Sequence, residues 1–64
     1  MEQLTMYRID CTPKGATHDR VAYFDTLSSA AASAERWRMD YGRPVYIERV
    51  DALRRVTGFV DVIR

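Results

Sequence analysis

Cysteine is nearly absent: Cys11 is the only one in 64 residues. A lone thiol cannot close an internal disulfide, so packing must hold the fold, and the expected compartment is a reducing cytoplasm. His18 is the only histidine and Lys14 the only lysine. The three glycines, Gly15, Gly42 and Gly58, stand apart, so no glycine-rich phosphate loop exists. No apolar run is long enough to span a membrane, and the opening MEQLTMYRID lacks the apolar core of a signal peptide. An excess of charge of either sign is also missing. Net charge is +1, which excludes an acidic DNA mimic and a protein that holds nucleic acid by bulk charge alone.

What is present is a small globular composition, with 47% apolar and 30% charged residues. Residues 1–64 read as a single domain, with a core that must be thin at this length. Thr26 to Tyr41 reads as the one good helix. Leu27, Ala30, Ala31, Ala34, Trp37 and Tyr41 recur at three- and four-residue spacing and share one side. Ser28, Ser29, Ser33, Arg36 and Asp40 fall on the other. Thr26 or Asp25 can cap the start, Gly42 suits a left-handed residue after the last turn, and Pro44 forbids continuation. The alanines permit close approach to a sheet. Leu27, Trp37 and Tyr41 are expected to supply most of the buried area. Arg38 should lay its stem on the core with its guanidinium in water.

The rest reads as strand and turn. Leu4 to Cys11 alternates as a first strand, and TPKGATHD (residues 12–19) is a loop. Arg20 to Phe24 is a short strand that pairs back as a hairpin. Pro44 to Val50 and Arg55 to Ile63 are the third and fourth strands, with Asp51 to Arg54 as their turn. Gly58 marks a bulge or a close crossing. The fold class is therefore α+β, β-β-α-β-β: one helix packed on a four-stranded antiparallel sheet, with the first strand in the middle beside the last hairpin.

Period-two alternation assigns Tyr7, Ile9, Val45, Ile47, Val60 and Val62 to the helix-covered side. Leu4, Met6, Arg8, Tyr46, Glu48, Phe59 and Ile63 then face away. That second face is apolar enough to expect a cover: a second copy, another protein or a nucleic acid. Aromatics with arginine on an open sheet suit single-strand stacking, although the basic-Gly-aromatic-Gly run of the common RNA-binding sheet is missing.

No catalytic constellation stands out, and no metal or cofactor is expected. His18-Asp19 lies in a loop with no second histidine. Cys11 with His18 lacks an orienting third group and an oxyanion hole, and Cys11 reads as a small residue on a buried strand face. Ser28, Ser29 and Ser33 have no nucleophile-elbow setting. The candidate partner-binding residues are Arg36, Arg38 and Arg43 near the helix end, Arg49, Arg54 and Arg55 around the last turn, and Tyr46 and Phe59 on the open sheet. The arginines form one patch if the turn folds beside the helix end. Otherwise they are solvated charge, partly neutralised by Glu35, Asp40, Glu48 and Asp51.

The opening strand MYRI, the alanine-spaced helix TLSSAAASAERW, the V-x-I-x-x-V of Val45, Ile47 and Val50, and the closing hairpin together resemble small phage-encoded proteins of the anti-CRISPR inhibitor type. The resemblance implies a non-enzymatic protein in the host cytoplasm. It would bind a Cas protein or a guide-RNA surveillance complex and block target nucleic-acid binding or nuclease recruitment. It carries no catalytic residue, and the near-neutral charge departs from the acidic members. Two alternatives stand beside it: a nucleic-acid-binding accessory or regulatory protein, and a structural homodimer.

Overall fold

A computed structural model describes residues 5–64. The elements run β1 (Met6–Asp10), β2 (Val21–Phe24), α1 (Leu27–Tyr41), β3 (Val45–Val50) and β4 (Val56–Ile63). The four strands form one antiparallel sheet in the order β2-β1-β3-β4, and the helix crosses one face. This is the β-β-α-β-β layout expected from the sequence, with β1 central. Leu4, assigned above to the first strand and the open face, lies outside the described residues.

The helix begins and ends for local reasons. Thr26 sits in an extended conformation, and its Oγ1 accepts from the Ser29 N–H at 3.2 Å. That bond satisfies a first-turn amide with no partner inside the helix. Gly42 takes φ 67° and donates its N–H to the Arg38 carbonyl at 3.0 Å. The left-handed conformation costs a Cβ-bearing residue strain that glycine escapes.

The covered face holds a compact core. Ile9, Cys11, Val45 and Ile47 from the strands meet Ala30 and Ala34 from the helix, all at 2% exposure or less. Ala30 and Ala34 are one helical turn apart, and their small side chains let the helix settle onto the sheet. Each buried branched aliphatic contributes about 1.5–3 kcal/mol over its exposed state. Tyr7, Ala22, Phe24, Ala31, Trp37, Val60 and Ile63 pack around this centre, partly buried.

Three expectations need correction. Leu27 and Tyr41 are less enclosed than expected, both more than two-fifths exposed, whereas Trp37 packs against the core and Ala30 and Ala34 are the fully buried helix residues. Arg38 withdraws from solvent further than its stem, because its Nε is buried without an acceptor among the described residues. The third correction concerns β4. Ile47 pairs with Asp61, but Glu48 pairs with Phe59, so Val60 is an extra residue; Arg49 pairs with Gly58, but Val50 pairs with Val56, so Thr57 is another. Each bulge reverses the alternation beyond it. Ile63 therefore sits opposite Val45 and packs on the core, while Val62 sits opposite Tyr46 on the open face. Those two residues exchange the sides assigned to them from period two alone.

The same bulges protect an exposed margin. β4 is the longest strand and lies at the sheet edge. An edge with two extra residues presents an uneven row of backbone groups and a poor template for another strand.

Candidate functional site

The sheet register sets the open face row by row. Tyr23, Arg8, Glu48 and Phe59 lie side by side across all four strands. The next row holds Val21, Asp10, Tyr46 and Val62. At the opposite end Met6 and Val50 pair, followed by Val56. Among the described residues no helix covers this face, although Val50 is itself buried at 1% exposure, and the shortest extent, 14 Å, leaves room for the sheet and one helix layer only.

The centre of this face is charged. Arg8 Nη1 donates to Glu48 Oε1 at 3.0 Å, and Arg8 Nη2 lies 3.4 Å from Asp10 Oδ2. The three side chains are about a quarter exposed or less, so the pairs are screened less than ordinary surface pairs. Asp10 is fully engaged, because its Oδ1 accepts from the Thr12 N–H at 2.9 Å. Glu48 is not: among the described residues nothing donates to its Oε2. The triad carries one positive and two negative charges and keeps a spare acceptor.

Around the triad the face is apolar and open. Tyr46 is 48% and Phe59 63% exposed. Both were singled out from the sequence, and the structure brings them together on adjacent strands, flanking Glu48. Tyr23 closes the far side, with the Arg54 guanidinium 4.7 Å from its ring centroid. Arg54 reaches this position from the β3–β4 turn with a left-handed backbone, φ 63°.

The arginines do not form one patch. β3 separates them: Arg43 precedes its first residue, and the Asp51–Arg55 turn follows its last. A six-residue strand spans roughly 20 Å, so the two groups sit at opposite ends of the sheet. Within the turn, Asp51 is the organising residue. Its Oδ1 accepts from the Leu53 and Arg55 N–H groups, both at 2.9 Å, and Oδ2 takes the Arg55 Nε at 3.1 Å. These bonds, the Arg55 backbone N–H first, hold the Asp51 carboxyl below its ordinary value. Arg55 is thus tied to the turn through its Nε, with most of its side chain exposed, and Arg54 lies over Tyr23. Arg49 is exposed on the helix side of the sheet, opposite Tyr7 and Gly58.

At the other end, Arg36 and Arg43 are exposed and Arg38 is half-buried. They gain a companion that sequence reasoning missed. Arg20, just before β2, stacks its guanidinium 3.8 Å from the Tyr41 ring centroid, and Tyr41 meets Trp37 edge-on at 5.8 Å. The β1–β2 loop is closed at its mouth by Cys11 N–H to Arg20 carbonyl (2.9 Å) and Arg20 N–H to Thr12 Oγ1 (2.8 Å). His18 and Asp19 are exposed on that loop, and Cys11 is buried with its thiol 3.9 Å from the Arg43 carbonyl. Among the described residues no three His, Cys, Asp or Glu side chains gather as a metal site, and no helix is long and apolar enough to cross a membrane.

The chain matches no protein-family model, no curated protein and no solved structure.

Proposed function

We propose that this domain is a small, non-enzymatic binding protein that docks a protein partner on the open face of its sheet. The observation that carries the reading is the pair Tyr46 and Phe59, large aromatics left 48% and 63% exposed on a sheet face that no helix covers among the described residues. Aromatics in such positions are the side chains that most often dominate binding energy. The resemblance to anti-CRISPR inhibitors makes a Cas protein or surveillance complex the candidate partner. The host cytoplasm is then the place of action, and obstruction of nucleic-acid binding or nuclease recruitment the effect. Arg36, Arg38 and Arg43 supply a separate polar anchor at the helix end.

The test is capture of Cas complexes from bacterial lysate by the tagged protein, with nuclease present, compared with the Tyr46→Ala/Phe59→Ala variant. Capture by the parent and its loss in the variant, with circular dichroism unchanged, is the expected result. Equal capture by both would remove the open face from the function.

A second reading rests on the helix end, where Arg20 stacks on Tyr41 among further arginines. Stacked guanidinium and aromatic groups suit single-stranded nucleic acid. It predicts a mobility shift with bare DNA or RNA that weakens steeply with salt and disappears in Arg20→Ala. No shift at low salt would end it.

A further inference from the structure

The chemistry of the partner can be narrowed from the charge balance of the open face. The inference rests on the open face being the docking surface. We propose that the surface made by Tyr46, Glu48 and Phe59 receives a basic side chain, an arginine or lysine with apolar neighbours, from a protein partner.

Three observations converge on this. First, Arg8 turns its terminal nitrogens to Asp10 and Glu48, and its Nε, which has no acceptor among the described residues, is buried out of reach of an incoming anion. Second, apart from the buried Arg8 Nε, the unspent hydrogen-bonding capacity at the centre is an acceptor, Glu48 Oε2, and the triad retains one net negative charge. A phosphate or carboxylate approaching there meets like charge, and a cation meets a charge-assisted partner. Third, that acceptor lies between two exposed aromatic side chains, Phe59 directly across the strand pair and Tyr46 two residues along β3. A guanidinium or ammonium entering between them gains ring contact as well as the carboxylate. The molecule uses the same pairing twice internally, with Arg20 on Tyr41 and Arg54 on Tyr23.

The surrounding Met6, Val62 and Tyr23 call for apolar residues beside the basic one. A nucleic acid brings bases that can stack but no cation for Glu48, and its phosphates meet like charge, so the open face and the arginine-rich helix end differ in the ligand they suit. Augmentation of the sheet edge is the competing mode, and the two bulges in β4 disfavour it.

The experiment is selection from a random linear peptide library displayed on phage, using the full chain as bait. Synthetic copies of the enriched peptides are then titrated against variants. The expected result is enrichment of arginine or lysine beside apolar residues. Affinity should fall about tenfold or more in Glu48→Gln, the scale of a lost hydrogen bond to a charged group. Tyr46→Ala should weaken binding similarly, which keeps the test valid if Glu48→Gln loosens the fold. Enriched peptides that are acidic or uncharged, yet still depend on Tyr46 and Phe59, would overturn the basic partner and leave the docking face standing. Binders indifferent to all three positions, or no enrichment, would remove both. Self-association that is abolished by Arg54→Ala would make a second copy the occupant and overturn a separate partner. Binding of a single-stranded oligonucleotide that requires Tyr46 would overturn it as well.

Discussion

The two faces of the sheet are made by alternate residues of the same strands, yet they are built on different principles. On the covered face Ile9, Val45 and Ile47 are stripped of solvent against two alanines. Among the described residues no polar side chain is wholly buried there, and the arrangement is held by area and close packing. On the open face the centre is an ion triad; Tyr46, Val56 and Phe59 stand out in water, while Val50 at its end is buried. The first arrangement specifies a fold. The second specifies a position in space for one carboxylate and two rings. A structural face with no further task has little reason to hold Phe59 at 63% exposure, whereas a docking face does.

The largest effect should come from the covered face. Ile47→Ala is expected to cost about 2–5 kcal/mol, against a total stability of about 3–10 kcal/mol for a chain this short. Phe59→Ala should stay within about 0.5 kcal/mol. Chemical denaturation of the two variants checks this, and comparable losses would mean that the open face is structural after all. Next comes Arg8→Ala, which leaves Asp10 and Glu48 without their shared cation. Partial exposure limits the loss to about 1–2 kcal/mol. A double-mutant cycle with Glu48→Gln should show coupling, and strict additivity would dissolve the triad as a unit.

Arg54→Gly should be nearly neutral. Relief of the left-handed backbone is worth about 1 kcal/mol, and the lost contact with Tyr23 costs about as much. A clear destabilisation would show that the strap over Tyr23 matters more than its strain. The smallest effect is the pH response of the turn. The Asp51 carboxyl is held below its ordinary value, so its contribution is present above the unfolded-state pKa and is lost as pH falls through the depressed folded value. Protection of the Leu53 and Arg55 amides, measured relative to their intrinsic exchange rates, should fall in that acidic window and not at neutral pH. Asp51→Asn should abolish this acid-dependent change in protection, and its persistence would point to another carboxylate.

The elements were legible in the sequence because each carries its own signal. Thr26, Gly42 and Pro44 bound the helix, and Val45 and Ile47 announce a buried strand face. Tyr46 and Phe59 were legible as open-face residues for the same reason. Two features were not. The extra residues Val60 and Thr57 look like ordinary strand residues, and only pairing against β3 reveals them. That is why Val62 and Ile63 change sides. The triad was half visible, since Arg8 and Asp10 stand two apart on one strand and must share a face. Glu48 joins them only through a register set 40 residues away. The Arg20–Tyr41 stack has no local signature, because it links the start of β2 to the end of the helix.

The placement of β1 sets the timing of assembly. It comes first along the chain but occupies the middle of the sheet, and its second neighbour is the distant β3. The helix and the β3–β4 hairpin can form from neighbouring residues, whereas β1 must wait for a long loop to close. Until then its apolar side chains have one partner strand instead of two. The docking of β1 against β3 is therefore the slow event, and the charged row across the open face comes into being only when that event is complete.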